Sequence, residues 1–280
     1  MYNNERAYGG THSGHACVQS FWGLLMKPIT LIITLCALLN LSGCGLEPKT
    51  DTWSNQRLYS EAKESLDAGD YATAIKYYEI LEARFPFETY AQQAQLDLIY
   101  AYYKYEEPES AIVTASRFIK YYPRHPYVDY AYYLKGLVNF QRNLGALDRL
   151  LPIDHSQRDQ KTARESLQDF AELIERFPNS KYSQDARQRM IHLSNRLADQ
   201  ELHVARFYMK RGAYVAAANR AKTVIQSHQR TPAVPEALVI LAKSYKIMGL
   251  NDLSGSALKV LKLNYPEHKG IAEVENLVVK

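Results

Sequence analysis

The sequence predicts an all-α protein in which about five helical hairpins stack into a superhelix. Glycine and proline number only 13 and 11 among 280 residues, whereas the strong helix formers Leu, Ala, Glu, Lys and Gln are abundant. Apolar residues also recur at helical spacing through most of the chain. Finally, one short pattern is repeated along the sequence, which favours an array of similar helical units over a turn-rich sheet protein.

The repeated pattern is clearest just before residue 86. It consists, in order, of Gly69, Tyr71, Ala74, Tyr78, Leu81, Phe85 and Pro86. A small alanine allows two helices to approach closely, larger side chains fill the groove between them, and the proline ends the second helix. The spacing resembles the tetratricopeptide pattern, so each repeat is expected to be a hairpin of two helices.

Five such repeats predict about ten helices. The second helices are expected within Gly69–Pro86, Pro108–Pro123, Lys161–Pro178, Gly212–His228 and Gly249–Pro266. The first helices are expected at roughly 55–67, 89–105, 126–142, 182–210 and 234–247, the fourth being about twice the usual length. Residues 143–160 interrupt the third repeat and are predicted to form an exposed insertion, a kind of segment that often carries binding.

The N-terminal region reads as an export signal. Residues 28–41 form an apolar run that is too short to span a bilayer comfortably but is typical of a signal peptide. The next residues, Leu41-Ser42-Gly43-Cys44, resemble the lipobox of bacterial lipoproteins. We therefore predict a signal region at 1–43, with translation starting at Met26, and a lipidated Cys44.

Lipidation at this position predicts where the mature protein resides. The residue after the acylated cysteine is Gly45 and not Asp, which resembles the signal for export to the outer membrane. Two or three acyl chains provide stable anchoring, and residues 44–54 read as a flexible tether between lipid and folded domain. The expected location is the outer membrane, with the folded part facing the periplasm.

Catalytic, metal-binding and nucleic-acid-binding patterns are missing from the sequence. The net charge is +4 and no Lys/Arg-rich run occurs, so the electrostatic footprint of a nucleic-acid binder is absent. Asp154-His155-Ser156 has the residue types of a catalytic triad, but adjacency in sequence does not make one. His192 and His203 are too far apart for a zinc-binding helix motif. We therefore predict no enzymatic activity, cofactor or metal.

A longer match resembles one particular family. Residues 84–104 read RFPFETYAQQAQLDLIYAYYK and resemble the BamD family of lipoproteins, which take part in assembling outer-membrane β-barrel proteins. The resemblance continues in His125-Pro126, in Phe177 to Ser180 and in Arg211-Gly212-Ala213, and it weakens after about residue 230. It implies binding to the periplasmic domains of BamA, to the lipoproteins BamC and BamE, and to unfolded β-barrel precursors. The alternative is another tetratricopeptide lipoprotein, such as an adaptor for peptidoglycan or cell-division machinery.

The precursor-binding surface is expected in the N-terminal part, residues 55–142. Asp97, Tyr100 and Lys104 share one helix face because they are spaced i, i+3 and i+7. The ring of an aromatic-ended peptide could lie among the tyrosines, with its carboxylate at Lys104 or Arg124. The candidate residues are Phe85, Phe87, Tyr90, Asp97, Tyr100, Lys104 and Tyr130. Ordinary core packing is the competing interpretation for each aromatic ring.

The second expected surface lies in residues 161–270, ahead of a C-terminal tail at 271–280. The family resemblance implies that this part docks a BamA domain, and that Arg211 and Arg220 take part, with a partner carboxylate for Arg220. The competing interpretation of Arg220 is a solvated or locally paired side chain on a helix surface.

Overall fold

The computed structural model describes residues 49–143 and 160–279. The predictions for the signal region, Met26 and Cys44, and for most of the 143–160 insertion, lie outside these residues. Residue contacts divide the chain into two units, 1–52 and 53–280. The described part of the first unit holds one short 3-10 turn, Thr50–Thr52.

The second unit is helical throughout, which confirms the predicted fold class. Its described residues contain no strand, and each predicted first helix agrees with an observed one to within two residues at either end. In chain order the helices are α1 Asn55–Asp67, α2 Tyr71–Arg84, α3 Ala91–Lys104, α4 Pro108–Tyr121, α5 Val128–Asn143, α6 Lys161–Arg176, α7 Ser183–Lys210, α8 Tyr214–Ser227, α9 Val234–Ile247, α10 Asn251–Asn264 and α11 Gly270–Glu275. None of these helices is both long and apolar enough to cross a bilayer.

The helices pair in sequence order into five hairpins: α1–α2, α3–α4, α5–α6, α7–α8 and α9–α10. First helices also touch one another, in the pairs α1–α3, α3–α5 and α7–α9, so that successive hairpins stack. Three apolar clusters fill the interfaces, and fully buried Tyr78, Phe118, Phe170 and Leu202 are among their largest side chains. No hairpin could bury such a face alone, which is the physical reason for the stacking.

Aromatic residues end the second helices in one common geometry. Phe85, Tyr122, Phe177 and Tyr265 have φ between −125° and −139°, and each backbone N–H donates to the carbonyl four residues earlier. A following proline contributes to ending the helix here, because it disfavours the helical region for the residue before it. His228 takes the same conformation although no proline follows it, so tertiary packing imposes the geometry there.

A residue with positive φ links the two helices in four of the hairpins. Gly69, Gly212 and Gly249 have φ of 81°, 73° and 76°, which glycine adopts without steric cost. In the second hairpin Glu106 takes this position with φ of 62°, the only positive φ of a non-glycine residue in the described ranges. A side chain at this backbone conformation carries strain.

Two elements depart from a simple repeat. Helix α7 has 28 residues, as the sequence predicts. Its first part packs into the apolar cluster that contains residues of α5 and α6, and its second part into the cluster that contains residues of α8 and α9. The segment predicted as a C-terminal tail begins with α11, whose buried Val274 covers the end of the second cluster.

Candidate functional site

A cleft of about 460 Å³ opens on the face formed by the first helices of the first three hairpins. Asp97 and Tyr100 reach it from α3, and Tyr130 reaches it from α5. Three of the seven predicted precursor-binding residues therefore meet in one concavity although they come from two separate helices. The remaining lining residues are Lys63, Leu66, Asp67, Ala68, Gly69 and Tyr71.

The carboxylate of Asp97 is held by three donors. Its Oδ2 accepts hydrogen bonds from the hydroxyls of Tyr59 at 3.0 Å and Tyr78 at 3.2 Å, and its Oδ1 accepts one from Gln93 at 3.0 Å. No ion pair to Asp97 forms within the described part of the chain. The nearby ammonium of Lys63 binds Asp67 instead, at 2.5 Å. The direct hydrogen-bond partners of the Asp97 carboxylate in the described residues are thus all neutral.

Burial dominates the electrostatics at this carboxylate. It raises the pKa of Asp97, because desolvation disfavours the charged form more than the donors Gln93, Tyr59 and Tyr78 and the charge of Lys63 favour it. Burial, with the adjacent Asp97 charge, also raises the pKa of the Tyr59 and Tyr78 hydroxyls well above the ordinary value. These hydroxyls therefore stay protonated, and keep donating hydrogen bonds to Asp97, at every physiological pH.

The rim of the cleft already holds a cation over an aromatic ring. The Lys104 ammonium lies 5.8 Å from the centroid of the Tyr71 ring, within the range of a cation–π interaction. Lys104 is exposed, so its remaining donors face solvent. The predicted pairing of a peptide carboxylate with Lys104 is therefore sterically open. Arg124, the other predicted carboxylate partner, does not line this cleft.

The other three predicted aromatic residues differ in exposure. Phe85 is half-buried against the N-terminal apolar cluster, below the guanidinium of Arg84. Tyr90 stacks on Tyr59, with ring centroids 4.9 Å apart, so it supports a donor to Asp97. Phe87 is 96% exposed on the turn between α2 and α3. These three residues border the N-terminal hairpins and do not line the cleft itself.

A second cleft, of about 470 Å³, opens on the corresponding face near the C-terminus, between α7, α9 and α11. Both carboxylates that line it have a basic partner, and Lys210 and Lys269 add further positive charge to the lining. Arg206 binds both carboxylate oxygens of Glu236, at 2.5 and 2.7 Å, and Lys243 binds Glu273 at 2.6 Å. The hydrogen bond from Arg206 lowers the pKa of Glu236, as expected for a paired carboxylate.

Arg220 has a carboxylate partner inside its own chain. Its guanidinium lies 3.1 Å from Glu201, whose side chain is only 2% exposed, and Arg164 lies 3.4 Å from the other oxygen. One buried carboxylate on α7 thus joins α6 and α8. The Arg220 side chain nevertheless remains 45% exposed, which leaves donors for a partner. Arg211 is exposed over the ring of Phe207.

Neither Tyr59 nor Glu201 is among the residues predicted from the sequence. Asp97 carries a usable signal, since a lone carboxylate in the apolar run LDLIYAYY needs donors from neighbouring helices. The position of its donors depends on hairpin packing, because Tyr59 is 38 residues away. Glu201 reaches its arginines across 37 and 19 residues, and no local pattern encodes those pairs.

The described ranges hold no group of three His, Cys, Asp or Glu side chains close enough to bind a metal ion. The chemistry available in the N-terminal cleft consists of tyrosine rings, hydroxyl donors, one buried carboxylate and rim ammonium groups. Such groups bind side chains and termini of peptides through stacking, cation–π contacts and hydrogen bonds. The arrangement is compatible with a peptide-binding surface.

Comparison with known proteins identifies relatives over most of the chain. Residues 51–261 match the family model YfiO, described as "Outer membrane lipoprotein". The outer membrane protein assembly factor BamD of Neisseria gonorrhoeae is 46% identical over 249 residues, covering 86% of this chain and 92% of the relative. BamD of Vibrio cholerae is 38% identical over 236 residues, covering 82% and 98%. Among solved structures, the MamA protein aligns over 81% of this chain and 98% of its own with 18% identity and a TM-score of 0.31.

Proposed function

We propose that this chain is a non-catalytic scaffold that binds BamA and unfolded β-barrel precursors for insertion into the outer membrane. The chain belongs to the BamD family of outer membrane lipoproteins. In this proposal the cleft between α1, α3 and α5 receives the precursor, and the hairpins from α7 onward dock the periplasmic domains of BamA. The lipoproteins BamC and BamE are further expected partners. Acylated Cys44 would anchor the chain in the outer membrane with its helices in the periplasm.

The observation that carries the proposal is the meeting of Asp97, Tyr100 and Tyr130 in one cleft. All three are among the residues that the sequence predicts for precursor binding. Precursors of β-barrels expose aromatic and aliphatic side chains at strand spacing, and a cleft with tyrosine walls suits an extended peptide of that kind. The family match favours this reading over a peptidoglycan or cell-division adaptor, since the curated relatives are named as assembly factors.

Photocrosslinking tests the precursor surface. A photoreactive residue at Tyr100 or at Phe87 should crosslink to an arrested precursor in cells. Tyr100 lines the cleft, and Phe87 is a predicted precursor contact that is fully open to solvent on the turn between α2 and α3. Tyr121 is the matched control, since it is 64% exposed and lies at the end of second helix α4. Crosslinks at Tyr121 with none at Tyr100 and Phe87 would refute this placement.

Co-purification with BamA tests the second surface. The informative change is Arg220→Gln, because Arg220→Glu would place a second carboxylate beside buried Glu201 and disturb the fold itself. Arg164→Gln is the control, since it removes the other arginine on the same carboxylate. We expect BamA recovery to fall with Arg220→Gln and to persist with Arg164→Gln. Undiminished recovery with Arg220→Gln would remove Arg220 from the interface.

A further inference from the structure

The carboxylate of Asp97 has hydrogen-bond donors but no ion-pair partner among the described residues. Three neutral donors hold its oxygens, yet no ion pair neutralises it within the described residues, and Lys63 is engaged by Asp67. A half-buried carboxylate of this kind is stabilised when a cation approaches it, because the Coulomb attraction between opposite charges is stronger away from bulk water. The carboxylate faces a cleft and not the apolar core, so a ligand can supply that cation.

The walls of the cleft suit the same type of ligand. Tyr71, Tyr100 and Tyr130 line it, and the face of a tyrosine ring attracts an ammonium or guanidinium group. The Lys104 ammonium over the Tyr71 ring shows this attraction operating at the rim. Aromatic rings around one unneutralised carboxylate form a recognised arrangement for a cationic side chain, since the rings favour its stem and the carboxylate its head.

From these two features we infer that the cleft contains a subsite for a lysine or arginine side chain of the bound peptide, with Asp97 as the acceptor. The inference rests on the proposed precursor-binding function and adds a chemical preference to it. Among the residues that the structure describes, Oδ1 of Asp97 accepts a single hydrogen bond, from Gln93, and so retains a lone pair for the incoming head group.

The C-terminal cleft provides the internal contrast. It has nearly the same volume, but Arg206 already binds Glu236 and Lys243 already binds Glu273. A cationic side chain entering there would have to displace an existing partner. The preference for a cation is therefore specific to the N-terminal cleft.

Peptide binding to the full-length chain in detergent tests the inference. The probes are ten-residue peptides that end in Phe and carry one Arg at the second, third, fourth or fifth position from the C-terminus, each paired with its citrulline analogue. Citrulline keeps the shape of arginine and removes the charge. In at least one register the Arg peptide should bind about five- to tenfold more tightly, by fluorescence anisotropy.

Variants locate the effect. Asp97→Asn keeps the size and an acceptor for Tyr59 and Tyr78, and it should reduce the Arg-to-citrulline ratio to about one. Glu236→Gln, which removes a carboxylate from the other cleft, should leave the ratio unchanged. Tyr130→Leu should lower the ratio through loss of a ring, and it serves as the locating variant if Asp97→Asn fails to fold.

The outcomes separate this inference from the function on which it rests. Equal binding of both peptides by the unaltered chain in every register overturns the cationic subsite while precursor binding stands. A ratio that survives in a folded Asp97→Asn variant, or in Tyr130→Leu where only that variant folds, overturns its location. Failure of every peptide to bind removes the precursor-binding function, and the subsite with it.

Discussion

The two clefts of this molecule have similar volumes but differ in how their carboxylates are paired. In the N-terminal cleft the buried charge of Asp97 is held by tyrosine hydroxyls and an amide. In the C-terminal cleft Glu236 and Glu273 each have a basic partner on a neighbouring helix. Matched pairs join neighbouring helices, whereas a half-buried carboxylate without a cationic partner costs stability. The difference is the one expected if, as proposed above, the N-terminal cleft binds a ligand.

The largest expected effect concerns buried Glu201, which, unlike Asp97, has two cationic partners. Replacing both with Arg164→Gln and Arg220→Gln leaves a carboxylate of 2% exposure without a cation. We expect a loss of about 2–3 kcal/mol in the free energy of unfolding, below the usual cost of breaking a buried pair because both arginines are half-exposed. Urea denaturation measures it. A loss below about 0.5 kcal/mol would show that neutral donors suffice there as well.

The interhelical turns offer the next test of the two halves. Gly212→Ala should destabilise by about 1–2 kcal/mol, because φ of 73° is unfavourable for a side chain although nothing lies within 4 Å of the added Cβ. Glu106→Gly should stabilise by roughly 0.5–1 kcal/mol, since it relieves the same strain in the second hairpin. Thermal unfolding of both variants measures the pair. If both variants raised, or both lowered, the thermal unfolding midpoint, the role assigned to positive φ would be contradicted.

Glu236→Gln should have a smaller effect, about 0.5–1 kcal/mol of destabilisation at pH 7, because the ion pair with Arg206 is nearly half exposed. The pKa of Glu236 is lowered in the folded state. Its contribution is therefore present above the unfolded value of about 4.5 and is lost as pH falls through the lowered folded pKa. Denaturation at pH 7 and at pH 3 should show the variant and the parent converging at the acidic end.

Asp97→Asn should change stability least at pH 7, and in the opposite direction. The folded-state pKa of Asp97 is raised. Its favourable contribution is therefore complete below the unfolded pKa and is lost as pH rises through the folded pKa, so the ionised group costs stability at neutral pH. We expect the midpoint of unfolding of Asp97→Asn at pH 7 to equal or exceed that of the parent. A clear decrease would mean that Asp97 is a structural anchor.

The sequence was sufficient for the helices and insufficient for the charge pairs. Glycine before three of the five second helices, and an aromatic residue with proline after four of them, mark the hairpin boundaries, because both act through local backbone preferences. Glu106 shows the limit of such signals, since tertiary packing imposes the turn without the expected glycine. The assignments of all the candidate residues to binding surfaces, Phe87 and Arg211 included, stay predictions.

The burial of individual tyrosines could not be predicted from the sequence either. Tyr78 and Tyr102 are buried, whereas Tyr71, Tyr100 and Tyr130 are half-buried at the cleft, and all five lie in similar aromatic helical runs. Which side of a ring faces a neighbouring helix depends on how hairpins stack. The local periodicity therefore predicts that a tyrosine is inward-facing, but not whether it ends in the core or in the cleft.

The central claim, that opposite ends of one helical stack bind different proteins, is tested most directly by measuring two variants against two partners. Affinities of the full-length chain for an arginine-containing, Phe-ended precursor peptide and for the periplasmic domains of BamA are determined with Asp97→Asn and with Arg220→Gln. The account predicts that Asp97→Asn weakens only peptide binding and that Arg220→Gln weakens only BamA binding. Loss of the same partner in both variants, or of neither partner in either, would contradict it.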